Sequence, residues 1–402
     1  MFRKQILIFI SLLLFLYSCG ESPKKGEILY LDAQNSKISY KIVDLPNIVD
    51  IDHLKSTYFD FLAGGFISMY VTEELTSEST IGKLNDLMLQ DNGVVPTLRY
   101  RVENDAIIPY TLDDTMMLTL YYNMNQAMDF FVDLGLPLNK GANNDSWGKM
   151  KVMFELEMEI EDHKILDDNA FYYPFMQIMA FLKQSKLKFL SMVANPMIVT
   201  HEFAHSIFDF YATGRIQEDE LLSKYNYDPN KHSDVENCRY MQDTFYLAAM
   251  NEGFSDYWGS LKVGRSDIIY LSITKNALQV NEYPESERNL EEKKGEYRKL
   301  TPKMLLKCDD DIKTKSQYWA GTIWASSLWE INKLNIDPNF NRYLLESYKC
   351  LNSYFKSGKK IDLLVPGNCL VKTLKEKSVN TDKVCSILNN RFHLLGGFDE
   401  CK

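Results

Sequence analysis

The alternation of apolar and polar positions divides the chain into three kinds of territory. It opens with Arg3 and Lys4, followed by an apolar run from Ile6 to Tyr17. That run is too short for a comfortable membrane span and carries the flanks of an export signal. Glu21 to Lys41 mixes Ser, Pro, Lys and Gly without a period and reads as a tether, with a first strand at Ile38 to Ile42. From Ile51 to Tyr110, short apolar runs (Tyr58 to Leu62, Phe66 to Val71, Thr97 to Val102) alternate with Gly-Gly, Asn-Gly and Pro. This predicts strands and turns, with one helical stretch at Ile81 to Leu89. His53 is read as a surface residue. Leu112 to Leu134 then carries Leu118, Tyr121, Met124, Met128 and Phe131 at helical spacing. Gly141 to Gly148 reads as a linker, Lys149 to Met158 as a strand, and Asn169 to Tyr173 with Met176 to Leu182 as paired strands around Pro174. Beyond Asn195 the period becomes helical, ending with a closing helix at Val384 to Leu395.

The chemistry concentrates at the first of these late helices, Asn195-Pro-Met-Ile-Val-Thr-His201-Glu202-Phe-Ala-His205. Asn195 suits the N-cap, Pro196 the first helical position, and Gly214 a stop. His201 and His205 are one turn apart on one face, so their ring nitrogens can converge on a single metal ion. Glu202 stands beside the first of them, where its carboxylate can take a proton from a water activated by that metal. A third His at the position of Tyr211, with Gly at that of Phe208, would mark a metzincin; neither is present. Downstream comes Ala249-Met-Asn251-Glu252-Gly-Phe-Ser255-Asp256. Its two acids share one side of a second helix, predicted over Tyr246 to Leu261. Glu252 is the candidate third ligand, and Asp256 the acceptor for the N–H of a ligating His. Between the two motifs, Gln217 to Arg239, including His232 and Cys238, reads as a charged surface insertion.

In combination and order, these two motifs resemble the gluzincin zinc metallopeptidases of the thermolysin and fungalysin type. The resemblance covers roughly Leu112 to Leu334 and extends more faintly to Gly397. It implies an α+β, two-lobed fold, with a β-rich N-terminal lobe, a mainly helical C-terminal lobe and the zinc site in the cleft. It also implies one catalytic Zn2+ and a peptide laid along an edge strand at Asp168 to Tyr172, contacted by Asn169 and Ala170. Arg288, in Arg288-Asn-Leu290, is expected to hold a substrate carbonyl. The family sets an oxyanion-stabilising His before a Gly on a late helix. Here Gln317-Tyr318-Trp-Ala-Gly321 keeps the Gly without the His. Tyr318 is the positional substitute and Gln317 the next; both donate hydrogen bonds, and neither carries an imidazolium charge. Where relatives often carry a Gly- and Asp-rich stretch, Lys183 to Leu190 is rich in Lys, which argues against family-type Ca2+ sites. Asp309 to Asp311 is left as a calcium candidate and reads more simply as a solvated run of acids.

Composition then narrows the setting. The chain has 402 residues, 45% of them hydrophobic, enough for a sizeable core. A net charge of −10 with no basic cluster disfavours nucleic acid as a partner and favours peptides or proteins. Leu16-Tyr17-Ser18-Cys19 resembles a bacterial lipobox, which makes Cys19 the expected lipidated residue. The body is then exported and anchored to the envelope, in the outer membrane if the cell has one. Six further cysteines, at 238, 308, 350, 369, 385 and 401, permit up to three disulfides, and four crowd into the tail. The expected divisions are a lipoprotein signal peptide over 1–19 and a tether with a β-rich region over 20–111. They continue with the peptidase N-terminal lobe over 112–195, the zinc-bearing helical lobe over 196–345 and a Cys-containing helical tail over 346–402. The functional expectation is an endopeptidase with Glu202 as general base. The other reading is a weak or silent relative that binds peptides or envelope partners.

Overall fold

The computed structural model describes residues 23–69, 87–136, 149–160, 164–174, 176–184, 190–214, 235–267, 272, 288–291, 298–307 and 317–402. The stretch read as an export signal with Cys19, that read as a linker at Gly141 to Gly148, His163, His232, Cys308 and the acidic run from Asp309 lie outside these residues.

A four-stranded sheet comes first. Its strands are β1 (Lys25–Asp32), β2 (Lys37–Asp44), β8 (Tyr100–Glu103) and β9 (Ala106–Pro109), in the order β2-β1-β9-β8. The stretch read as a tether up to Lys41 is therefore largely a hairpin: β1 pairs antiparallel with β2 from Lys25↔Asp44 to Asp32↔Lys37. The physical reason is visible in β1, where the buried positions are Gly26, Ile28 and Leu31, with Leu29 and Tyr30 half-buried between the last two, so the strand displays no clean alternation. The short β3 (Ile48–Asp50) and β4 (Lys55–Ser56) form a separate pair.

The second sheet is built on the long strand β10 (Met150–Ile160), in the order β12-β13-β10-β6-β7, with β5 and β11 also pairing with β10. Its other members are β5 (Phe59–Ala63), β6 (Phe66–Met69), β7 (Leu87–Asp91), β11 (Lys164–Leu166), β12 (Ala170–Tyr173) and β13 (Ile178–Leu182). β10 lies parallel to β5 as far as Phe154 and to β6 from Glu157. At the change of partner, Glu155 takes a left-handed φ of 55° and Gly64 and Gly65 take 68° and 104°. A Cβ on Gly65 would come within 2.6 Å of Met153 and 2.9 Å of the Asp91 carbonyl. The Gly-Gly pair is thus a kink between two strands that share one partner, not a turn between hairpin arms. The helix expected at Ile81 to Leu89 is corrected at its described end, where Leu87 to Asp91 is the strand β7, antiparallel to β6.

Side-chain alternation gives this sheet two apolar faces. Met150, Val152, Phe154, Met179, Phe181 and Ala170 join the main core, while Met153, Met158, Ile178, Ala180 and Tyr173 form a separate cluster on the far side. The main core is covered by α1 (Leu112–Asp133), whose N-cap Thr111 accepts from the Asp114 N–H at 3.1 Å, and by α2 (Pro196–Phe208). Asn195 caps α2 by accepting from the Met197 N–H at 3.1 Å, and Pro196 holds the first position. After Phe208 the chain widens into a π-helical turn, Asp209–Thr213, and stops at Gly214 with φ 72°.

Two further helices complete the site: α3 (Val235–Val263) and α4 (Gln317–Lys333). α3 begins within the stretch read as a surface insertion, so the loop expected to run to Arg239 ends earlier. Val235 to Tyr240 continue into the same helix, which propagates cheaply from a formed nucleus. α3 is packed between α2 and α4 through glycines. A Cβ on Gly259 would lie 2.7 Å from the Met197 carbonyl, one on Gly253 2.5 Å from the Gly321 carbonyl, and one on Gly321 2.6 Å from the Ala249 carbonyl. Four helices follow, α5 (Phe340–Glu346), α6 (Tyr348–Lys356), α7 (Leu364–Glu376) and α8 (Asp382–Arg391). Disulfides Cys350–Cys369 and Cys385–Cys401 join α6 to α7 and α8 to the C-terminal turn.

Gly321→Ala is expected to destabilise the protein by roughly 1–3 kcal/mol, because the added methyl meets backbone that cannot move without separating α3 from α4. A denaturant midpoint equal to the wild type's would show that the crossing is not tight.

Candidate metal centre

Three side chains from two helices converge where α2 crosses α3. His201 Nε2 and His205 Nε2 are 3.0 Å apart. Glu252 brings Oε2 to 3.4 Å from His201 Nε2 and Oε1 to 3.9 Å from His205 Nε2. One donor atom from each residue lies within 4.8 Å of the others. A tetrahedral zinc ion with nitrogen and oxygen ligands at about 2.0–2.1 Å holds them about 3.4 Å from one another. The observed separations bracket that value, and two His with one Glu is a donor set suited to zinc. Two ring nitrogens facing each other beside a carboxylate is also an arrangement that a shared cation would satisfy.

The outer ring nitrogens fix which tautomer each His presents. His205 Nδ1 lies 2.9 Å from Asn251 Oδ1 and 3.1 Å from Ser255 Oγ. His201 Nδ1 lies 3.0 Å from Asp256 Oδ1, off the line of its N–H, so the contact is an ion pair more than a well-aimed hydrogen bond. Both contacts favour the proton on Nδ1 and leave Nε2 as the lone pair facing the centre. The sequence indicates Asp256 but not Asn251 or Ser255. Their signal was within the same motif, flanking Glu252 at positions that face α2.

Arg288 belongs to this cluster in an unexpected way. Its guanidinium donates to Asp256 Oδ1 at 2.6 Å and Oδ2 at 3.3 Å, and to Glu252 Oε2 at 3.4 Å. The residue expected to hold a substrate carbonyl also pairs with the carboxylates that face the His rings. It also lies 4.6 Å from the centre of the Tyr318 ring, a cation–π contact. Tyr318 reaches this place because α4 touches α3 at Gly321: a Cβ there would sit 3.3 Å from the Glu252 Cβ. Gln317 is the first residue of α4.

Burial is uneven. His201 and Asp256 keep 5% and 1% of their side-chain surface exposed, against 12% for His205 and 15% each for Glu252 and Arg288. The pocket therefore opens on the side of His205, Glu252 and Arg288. Burial opposes charge on Asp256 and Glu252, yet both stay below their usual carboxylate range, Asp256 chiefly through Arg288 and Glu252 chiefly through His205. Burial would likewise lower His201, but the Asp256 and Glu252 carboxylates outweigh it and hold the ring up at about 9. A metal at this centre must compete with that proton. Glu202 is buried, and its carboxyl is pushed up by desolvation against the pull of the two His rings. The Tyr318 phenol is pushed up as well, first by the charge of Glu252 and then by burial, so it stays a hydrogen-bond donor.

β12 is an edge of its sheet among the described residues and packs against α2. The Asn169 carbonyl accepts from the Leu182 N–H at 2.9 Å, so by alternation the backbone polar groups of Ala170 and Tyr172 turn away from β13 toward the edge. The Asn169 side chain accepts from the Ala170 N–H at 2.9 Å. Tyr172 donates its phenol to Asp209 Oδ2 at 3.1 Å, linking the edge strand to the end of α2. The sequence carries no sign of that link, because it joins two elements whose relative placement only the fold decides. Elsewhere His53 is exposed and pairs with Asp50 at 2.9 Å, as a surface residue would.

No family model matches the sequence, and no curated protein matches it. Among solved structures, the chain is similar to the precursor of protealysin, a metalloproteinase from Serratia proteamaculans. The identity is 13% and the TM-score 0.45, with 88% of this chain and 91% of that chain covered. The donor cluster itself carries the functional reading.

Asp256→Ala and Asn251→Ala are each expected to weaken zinc affinity by about 10–100-fold in chelator competition, since they orient the two rings. Arg288→Ala should act in the same direction through Asp256. Unchanged affinity in all three would separate these contacts from the metal.

Proposed function

We propose that this chain is a zinc-dependent endopeptidase that hydrolyses peptide bonds, with His201, His205 and Glu252 as the metal ligands. The observation that carries the reading is the convergence of these three donors beside a buried carboxylate, Glu202, on the same helix as the His pair. A zinc ion in this cluster supplies, when bound, a Lewis acid and an acidified water at neutral pH.

The chain's own residues then divide the work. Asn251, Ser255 and Asp256 hold the Nδ1 sides of the two rings, and Arg288 holds Asp256. Glu202, its affinity for a proton raised by burial, takes one from the attacking water and returns it to the leaving amine. The edge of β12 offers backbone groups of Ala170 and Tyr172 to an extended peptide, with Asn169 beside them. Tyr318 donates to the oxyanion as it develops, in the place where relatives carry a His. The export signal ending at Cys19 further proposes a lipid anchor, which would place the activity in the cell envelope and make exposed peptide segments its substrates. The lack of a His in the place that Tyr318 takes favours a second reading, in which the same site binds peptides without cutting them.

The deciding experiment compares cleavage of an unstructured protein by the zinc-loaded chain beginning at Gly20 and by its Glu202→Gln variant, with zinc content measured on both. The expected outcome is equal zinc and cleavage only by the unsubstituted chain. Equal cleavage by both would remove Glu202 from the mechanism, and zinc-loaded protein that never cuts would favour the binding reading. In an active enzyme, Tyr318→Phe is expected to lower kcat by about 100- to 1,000-fold with little change in zinc content. An unaltered kcat would remove Tyr318 from oxyanion stabilisation.

A further inference from the structure

Among the described residues, β2 is the strand that exposes three large apolar side chains together. Ile38, Tyr40 and Ile42 are 46%, 59% and 50% exposed and alternate along the strand, so all three share one face. Lys37, Ser39 and Lys41 occupy the other. Across the β1–β2 pair, Ile38 stands opposite Leu31 and Tyr40 opposite Leu29. Leu31 is buried and Leu29 packs against the main core. The same apolar face is therefore covered on β1 and bare on β2, which is an outer strand of its sheet among the described residues. A long apolar edge strand in water invites association and is usually blunted or covered.

Position in the chain points to what covers it. Ile42 pairs with Glu27, two residues into β1, so the bare stripe starts beside the point where the chain enters the body. From Cys19 to Lys25 a fully extended chain reaches at most about 20 Å. A lipid on Cys19 would hold the β1–β2 hairpin against the bilayer surface. The hairpin is also fixed to the catalytic body: Arg265, just after α3, donates to the Ala33 carbonyl and to Ser36 Oγ at 2.6 Å in the hairpin tip, and pairs through two bonds of 2.9 Å with Asp267.

We propose that Ile38, Tyr40 and Ile42 form a membrane-seating surface that rests in the interfacial layer of the bilayer to which the chain is anchored, and that Arg265 transmits this seat to the metal-bearing helix. The partner is the apolar and glycerol region of a phospholipid bilayer. An anionic headgroup is not required, since the chain's net charge is −10. The inference rests on the anchor reading and is independent of peptidase activity.

The test uses phosphatidylcholine vesicles with acyl-chain-brominated lipid, which quenches tryptophan in the interfacial layer. One arm carries the full lipidated chain. The other carries the chain from Gly20 with an N-terminal hexahistidine on nickel-chelating lipid, so a failure of natural lipidation is told apart from a failure of the seat. Tyr40→Trp probes the face, and Val102→Trp probes the opposite edge and face of the same sheet, where Val102 is 53% exposed. Expected are a blue shift and at least twofold quenching of the emission gained by Tyr40→Trp in the nickel arm, with none of that gained by Val102→Trp. An intact mass with no lipid on Cys19 would remove the natural anchor while quenching in the nickel arm still supports the seat. Water-like, unquenched emission from Tyr40→Trp, or equal quenching at both positions, overturns it. So does a dimer of the lipid-free chain that Ile38→Ser with Ile42→Ser dissolves, since the face would then belong to a second copy.

Discussion

Everything the site does depends on how closely three helices approach. α3 touches α2 at Gly259 and α4 at Gly253 and Gly321, with spaces too small for a Cβ on either side. Helices with side chains at their crossings usually stand 8–10 Å apart. Removing the side chains lets the axes close in, so Glu252 reaches the His pair on α2 and Tyr318 reaches Glu252. The donor cluster is thus a consequence of backbone contact between helices. The rest of the core, from Phe203 and Phe131 to Trp258 and Trp324, fills the space left around those crossings.

The same proximity explains the electrostatics. Three acids, two imidazoles and a guanidinium share one largely buried pocket, where charge is tolerable only when paired and bonded. Arg288 is the counterweight: it faces Asp256 and Glu252 from one side while the His rings face them from the other. Glu202 has no such direct partner among the described residues, and its shift runs in the opposite direction from those of Glu252 and Asp256. Carboxylates within one pocket are thereby separated into two that stay ionised and one that accepts a proton more readily.

How much of this was legible in the sequence follows from what each feature needs. The start of α2 was readable residue by residue, because Asn195, Pro196 and Gly214 act on their own neighbours. The donors were readable because a helix fixes the direction of residues one turn apart, and the two motifs each carry that spacing. What failed depended on distant partners. β1 looked like a tether because its strand character is completed by pairing with β2 and by α1 beneath it: a Cβ on Gly26 would lie 2.8 Å from Leu118. Arg288 was legible as a residue of the site, but its hold on Asp256 was not, because Asp256 lies on a helix far from it in sequence. Gly253, Gly259 and Gly321 gave no warning of their importance, since a helical glycine states only that a side chain is missing and not what comes near.

The Asn169 side chain gives the sheet's edge a property of its own. A bare edge strand presents donors and acceptors that any other strand can match, and the usual outcome is two sheets joined for good. Here the Ala170 N–H is already occupied by the neighbouring amide oxygen. An arriving strand must displace that bond before it can add one of its own, so annealing to another sheet brings little at this position. The edge thus carries its own guard: its first outward donor is satisfied from within the strand.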